Sequence, residues 1–251
     1  MTRLRRVGGV VVDAVFPRRC AGCGRRGIWL CERCHETISP IHQIGCPRCG
    51  VPLLAGRCSC RDLHPAIERA VSPFPYVGWV AEAIKYLKYE NESARAEHLG
   101  AALADAVRLL GPIDGLVPVP LHTRKHRARG YNQSELLARS VSVELGIPLI
   151  PMIQRTRPTT AQMTLGADER RRNVAHAFAW IGEACSVPAG RYVLIDDVRT
   201  TGSTLSACAE AMVAGGVGHV LVATLAVDLD RAQLDVLRRR GLLRDGGAAR
   251  S

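Results

Sequence analysis

Aromatic residues are scarce in this chain, with 3 Phe, 3 Trp and 5 Tyr making up 4% of 251 residues. A core must therefore be filled mainly by Val, Leu, Ile and Ala. Little is left for the aromatic platform on which unpaired bases stack. Tyr76, Trp79, Tyr86 and Tyr89 come closest to one, and they fit a helix packed on a sheet equally well. No apolar run approaches the roughly 20 residues of a membrane span. The stretch from Val7 to Phe16 follows Arg3, Arg5 and Arg6 and superficially resembles a signal peptide. Asp13 interrupts it, however, and no small-residue cleavage site precedes Pro17, so it reads as a short helix entering the next region. There is no Gly-Lys-Ser/Thr, which excludes a Walker loop. Gly215-Gly216-Val217-Gly218 follows a helical pattern rather than a strand, which excludes a dinucleotide fingerprint. Low-complexity tracts are missing, and nothing repeats except pairs of cysteines.

What is present supports a folded protein. A hydrophobic content of 47% is enough for a buried core, and the length suits one large domain plus a small module. The formal net charge of +11 favours polyanions, either phosphorylated small molecules or nucleic acid. Arg-rich balances also accompany high-GC genomes, so charge by itself selects no partner.

Eight of the ten cysteines fall between Cys20 and Cys60. They pair as Cys20-x₂-Cys23, Cys31-x₂-Cys34, Cys46-x₂-Cys49 and Cys58-x-Cys60. Two cysteines three apart can chelate one Zn²⁺ from a tight turn, and two such turns complete a tetrahedron. Four pairs therefore imply two structural zinc ions. Short intervening loops favour sequential pairing, first with second and third with fourth, with an interleaved arrangement as the alternative. A disulfide knot would need an oxidising compartment. Without a leader or span, the chain is expected in the cytoplasm with its thiols reduced. Cys185 and Cys208 stand apart and read as buried thiols.

The cysteine module is expected over residues 1–62, a main domain over 63–230 and a charged helix or frayed tail over 231–251. Beyond Pro65, Pro73 and Pro75, helical periodicity groups Ala83, Ile84 and Leu87, then Leu99, Leu103, Ala106 and Leu110. Leu116-Val117-Pro118-Val119 reads as a short strand, followed by a basic loop from His122 to Gly130. Asn132 with Glu135 predicts a capping box for a helix carrying Leu137, Val141 and Leu145, stopped by Gly146. A strand is expected near Leu149 to Ile153. Val193-Leu194-Ile195 is the clearest strand, and a helix with Leu205, Ala209, Met212 and Val213 inward leads to another at Val220 to Val227. This alternation predicts an α/β fold, a parallel sheet flanked by helices, behind the small cysteine-rich module.

The most informative stretch is Val193-Leu194-Ile195-Asp196-Asp197-Val198-Arg199-Thr200-Thr201-Gly202-Ser203-Thr204. A buried strand delivers two carboxylates to the carboxyl edge of the sheet, where open α/β folds bind ligands. The hydroxyl-rich loop then enters a helix whose N-terminus favours an anion. Each hydrogen bond to a phosphate there would contribute about 1.5–3 kcal/mol. Acids beside a phosphate cradle make sense if they face a sugar diol or hold a metal directly. Upstream, Arg124, Lys125, Arg127 and Arg129 could cradle a pyrophosphate. His122 and His126 are possible acid–base groups or ordinary surface residues. The polar stretch from Arg155 to Arg172, with Thr159, Thr160, Gln162 and Arg170-Arg171-Arg172-Asn173, reads as a lid or a surface excursion. No side chain stands out as a base for an acceptor.

The strand–loop–helix stretch resembles the motif of the type I phosphoribosyltransferases. That resemblance implies that Asp196 and Asp197 are the catalytic acids, contacting the ribose hydroxyls of phosphoribosyl pyrophosphate. It implies that Arg199, Thr200, Thr201, Gly202, Ser203 and Thr204 hold the 5′-phosphate, with Mg²⁺ accompanying the ligand. Arg127, Arg129, Arg170 and Arg171 become the pyrophosphate and hood candidates. Pro118-Val119-Pro120-Leu121-His122, Arg127-x-Arg129-Gly130-Tyr131-Asn132-Gln133 and the Gln162–Leu165–Arg170–Asn173–Phe178 stretch extend the likeness. With the cysteines, residues of about 17–227 resemble the ComF family, which joins a double zinc ribbon to a phosphoribosyltransferase-like domain. His176 departs from the Gly usual there, and the last cysteine pair is one residue short. Family members are associated with DNA uptake in natural transformation. The resemblance thus implies, besides phosphoribosyl transfer, a rival role in gripping single-stranded DNA, with a competence helicase as a partner. A third option is a regulator that kept the sugar-phosphate site for an effector.

Overall fold

In the computed structural model, the described residues are 18–53, 58–90, 92–156, 177–182 and 190–244. Seven strands are described: β1 (Ile67–Val71), β2 (Phe74–Pro75), β3 (Gly115–Pro118), β4 (Ile153–Arg155), β5 (Phe178–Trp180), β6 (Arg191–Arg199) and β7 (His219–Val227). The described α-helices are α1 (Glu32–His35), α2 (Gly78–Tyr89), α3 (Arg95–Arg108), α4 (Thr123–Arg129), α5 (Gln133–Leu145), α6 (Ser203–Ala214) and α7 (Arg231–Arg239).

The main sheet runs β1-β7-β6-β3, with β2 extending beside the far end of β7, and every pairing is parallel. Buried parallel strands need apolar side chains toward both layers. Accordingly β7 is buried from Val220 to Val227, and β6 from Tyr192 to Ile195. The expected α/β class, a parallel sheet flanked by helices, is the one found.

Helix α2 turns Trp79, Val80, Ala83, Ile84 and Leu87 inward. Helices α3 and α5 pack on each other and over β3, β6 and β7. Their close approach depends on Gly100, where a Cβ would stand 2.2 Å from Ser140 Oγ. Helix α6 covers β6 and β7 and also carries the small antiparallel pair β4–β5. Trp180 of that pair lies on Gly215, where a Cβ would fall 2.1 Å from its ring.

Several local expectations need correction. The basic segment after His122 is a short helix, α4, not a loop; the His122 side chain caps it by accepting from Arg124 N. Asn132 does cap α5, accepting from Ser134 N, but Glu135 closes no box because its carboxylate pairs with Arg139 at 2.7 Å. Near Leu149 only an isolated bridge to Leu116 forms, and the strand begins at Ile153. Met212 takes the inward position in the last turn of α6, so Val213, about 100° further round, is exposed. After 231, the charged segment forms α7 with a capping box of Asp230 and Gln233, and Leu237 is buried. Beyond it, Ser39 N donates to Leu242 O and Arg244 N to Thr37 O, fastening this end to the cysteine module. Val7 to Phe16, Cys185 and most of the polar stretch, including Thr159, Thr160, Gln162, Leu165, Arg170, Arg171, Arg172, Asn173 and His176, lie outside the described residues.

Candidate phosphate-binding site and metal centres

The loop between β6 and α6 sits at the carboxyl edge of the sheet, flanked by β3 and β7. Gly202 adopts φ of 77° and forms the N-cap of α6, leaving the helix start without a side-chain cap. That is the local geometry in which backbone N–H groups are offered to an anion. Thr200 is exposed, Thr201 and Thr204 are half-buried, and Gly202 and Ser203 are buried. The Thr201 and Ser203 hydroxyls lie 2.7 Å apart, tied to each other rather than to the core.

Both aspartates precede this loop, and each has its own partner. Asp196 Oδ1 accepts from Ser134 Oγ at 2.7 Å and from the backbone N–H of Asp197. Asp197 is buried, and Lys88 Nζ of α2 lies 2.9 Å from its Oδ2. The two form a close ion pair held largely out of water. Burial and the neighbouring Asp197 push the Asp196 carboxyl up to about 7, against the pull of Ser134 and Lys88. Burial would lower the Lys88 ammonium, but Asp197 and then Asp196 hold it above its ordinary value.

More cations gather here. Partial desolvation lowers the Lys125 ammonium of α4, and Arg155, Arg129 and Lys88 lower it further, against the pull of Asp197. Arg129 is held by Gln133 Oε1 at 2.9 Å and lies 5.1 Å over the Tyr89 ring. Arg127 is exposed on α4. The sequence pattern missed Lys88, Ser134 and Arg155 as site residues. Lys88 sits one position past the apolar stripe of α2, so only the fold brings it to Asp197.

The Arg199 side chain has its partners outside the loop. Its guanidinium turns away from the loop, donating to Cys49 O at 2.5 Å and to Ser59 Oγ at 3.1 Å. Its side chain therefore serves the cysteine module, and only its backbone belongs to the loop.

The cysteines form two clusters, Cys20/Cys23/Cys31/Cys34 and Cys46/Cys49/Cys58/Cys60, each with all sulfurs within 4.8 Å of one another. This is the sequential pairing. Tetrahedral zinc with Zn–S of about 2.3 Å requires sulfurs about 3.8 Å apart. The Cys20–Cys31, Cys23–Cys31 and Cys46–Cys60 sulfurs are separated by 3.7, 3.8 and 3.6 Å, so both clusters fit the ion. The Cys31 N–H donates to Cys20 Sγ at 3.4 Å, the kind of bond that steadies a thiolate. Full cysteine ligation leaves no open position, as structural zinc requires.

A family model described as the double zinc ribbon domain matches residues 11–64. Competence protein F of Haemophilus influenzae is 31% identical over 207 residues, covering 78% of this chain and 90% of that protein. The chain belongs to the ComF family. Another relative of this ComF-family chain, named DNA utilization protein YhgH in Salmonella typhi, is 34% identical over 205 residues, 77% of this chain and 88% of that one. Among solved structures, a purine phosphoribosyltransferase from Pyrococcus horikoshii Ot3 aligns with 53% of the ComF-family chain and 73% of its own, at 24% identity and a TM-score of 0.34. Among the described residues, no helix is long and apolar enough to cross a membrane.

Proposed function

We propose that the chain binds phosphoribosyl pyrophosphate with Mg²⁺ and acts in DNA uptake or use, the roles named for its relatives. The observation that carries this reading is the acid pair Asp196–Asp197, with Lys88 2.9 Å from Asp197, immediately before an uncapped, hydroxyl-rich helix N-terminus. The 5′-phosphate would lie on Thr200, Thr201, Gly202, Ser203 and Thr204. The ribose hydroxyls would donate to Asp196 and Asp197, and the pyrophosphate would meet Lys88, Lys125 and Arg155 with Arg127, Arg129, Arg170 and Arg171. Mg²⁺ would supply charge neutralisation between the pyrophosphate and the hydroxyls.

In such a site, an acceptor that bonds to C1 of the ribose displaces pyrophosphate, which leaves with the electron pair of the broken C1–O bond. Positioning and the surrounding cations stabilise that charge. A cytoplasmic location with reduced thiols and association with a competence helicase complete the proposal. Calorimetric titration with phosphoribosyl pyrophosphate and Mg²⁺ tests it. Wild type should bind and Asp197→Asn should bind at least about tenfold more weakly, the loss of one charged hydrogen bond. Equal heats would sink the reading.

A second reading is a non-catalytic grip on single-stranded DNA, with the sugar-phosphate site as a sensor. The exposed Arg124, Lys125 and Arg127 along α4 and the net charge of +11 favour it. Single-strand affinity that falls steeply with salt would support it, and a slope near zero would remove it.

A further inference from the structure

The second cysteine cluster does more than stand beside the main domain. Its ligand-bearing turns lie against the beginning, middle and end of the segment from Arg199 to Ser206. At the beginning, Arg199 is 2% exposed and donates to Cys49 O and to Ser59 Oγ. Cys49 closes the third cysteine pair, and Ser59 lies between the two cysteines of the fourth. One guanidinium therefore spans both halves of the cluster. In the middle, Gly202 lies so close to the turn after Cys60 that a Cβ would stand 2.8 Å from Leu63 Cδ2. At the end, His64 N donates to Ser206 Oγ at 3.0 Å, and that hydroxyl also faces Asp62 O.

The charges agree with the contacts. Four thiolates on one Zn²⁺ leave a net charge of about −2, which needs a cation nearby when removed from water. Arg199 is the buried cation at that place. Metal ligation also holds the Cys46–Cys49 and Cys58–Cys60 turns together. Without that cross-link the two acceptors of the guanidinium would separate, and the end of β6 would lose its anchor. The first cluster has a different seat. Its Arg19 and Trp29 carbonyls accept from Arg95 of α3.

We infer that Arg199 is a positioning residue through which the Cys46/Cys49/Cys58/Cys60 cluster, and not the Cys20/Cys23/Cys31/Cys34 cluster, holds the Thr200–Thr204 loop in its anion-binding shape. The inference rests on the ligand reading above for its effect on binding, though its structural half can be measured without any ligand.

The test uses the full chain as wild type, Arg199→Gln, Arg199→Lys, Cys58→Ser and Arg95→Gln. Zinc content is counted by mass spectrometry, hydrogen exchange is followed over residues 199–206, and phosphoribosyl pyrophosphate with Mg²⁺ is titrated calorimetrically. Arg199→Gln should keep two zinc ions, yet its loop amides should exchange about tenfold faster and its affinity should fall by about tenfold or more, the effect of losing charged hydrogen bonds. Cys58→Ser should keep one zinc ion and reproduce both effects. Arg95→Gln should loosen residues 18–35 and leave the loop as in wild type. Arg199→Lys, which keeps the charge and loses the two-pronged grip, should fall between and carries the test if Arg199→Gln does not fold.

Loop exchange within about twofold of wild type in both Arg199→Gln and Cys58→Ser would overturn the inference, as would equal loosening by Arg95→Gln. If wild type gives no heat with the ligand, the binding proposal falls while the exchange result still decides the coupling.

Discussion

The two cysteine clusters share one ligand set and differ in what they are fastened to. Each is reached by a single buried arginine from the main domain, Arg95 for the first and Arg199 for the second. Arg95 is sandwiched at 4.6 Å from the Trp29 ring and 4.8 Å from the Tyr86 ring while it donates to the Arg19 and Trp29 carbonyls and pairs with Glu92. That seat is aromatic, and it joins one structural element to another. The second seat is polar and lies directly behind a loop suited to anions. Identical ligand sets thus sit against a helix in one place and against the end of β6 in the other. What distinguishes them is the element from which the arginine comes.

The largest expected effect comes from stripping both zinc ions. Structural sites of this kind contribute about 10–16 kcal/mol of apparent binding free energy, so chelation should unfold residues 18–64. Amides of β6 and β7 in the sheet core should remain protected, and exchange measured with and without chelator would show it. Next, Arg95→Ala should cost about 3 kcal/mol in chemical denaturation, because buried carbonyls and Glu92 lose a charged partner. Its effect on ligand affinity should be small, in contrast to any change at Arg199.

At the ligand end, Lys88→Met leaves Asp197 buried without its cation. Affinity for phosphoribosyl pyrophosphate should fall by about tenfold or more in calorimetry, roughly the loss of one charged contact.

Proton linkage sharpens the picture of the acid pair. The Asp196 carboxyl is raised from 3.8 to about 7 in the folded protein. Between those values the folded chain holds more protons than the unfolded one, so this group makes stability decline as pH rises through that window. Ligand binding needs the ionised pair, so affinity should climb by about tenfold from pH 6 to pH 8, and Asp196→Asn should flatten both profiles.

The smallest contrast is between two glycines. Gly24 in the first cluster has φ of 75° with nothing near a Cβ, whereas Gly202 has φ of 77° and Leu63 in the way. Gly24→Ala should cost about 1 kcal/mol of backbone strain alone. Gly202→Ala should cost more and weaken the anion site as well.

Much of this was legible in residue order. A run of apolar residues, two acids and a loop of small hydroxyl residues can hardly avoid ending a parallel strand at a helix N-terminus. Likewise, four closely spaced cysteine pairs announce their metal. The pairing could be inferred from short loops because chain length limits which turns can meet. Other features depend on contacts far apart in sequence. Lys88 is a polar residue at the edge of an amphipathic helix, where nothing in the periodicity separates a solvated lysine from one aimed at Asp197. Arg199 stands inside a loop motif and looks like a ligand group, but the carbonyl of Cys49 and the hydroxyl of Ser59 take its side chain. Glu135 stands at the right offset for a capping box, yet Arg139 one turn on competes for it. Local spacing identifies candidates, and tertiary neighbours then settle which way each side chain turns.

In the proposed complex the segment Thr200 to Thr204 holds a sugar 5′-phosphate. Backbone amide resonances of isotopically labelled full-length protein, followed during titration with ribose 5-phosphate, test it most directly. Saturable shifts should concentrate at Thr200–Thr204 and the first turn of α6, with the cysteine clusters little affected. Shifts scattered across the basic surface, with the loop amides unmoved at saturation, would contradict it.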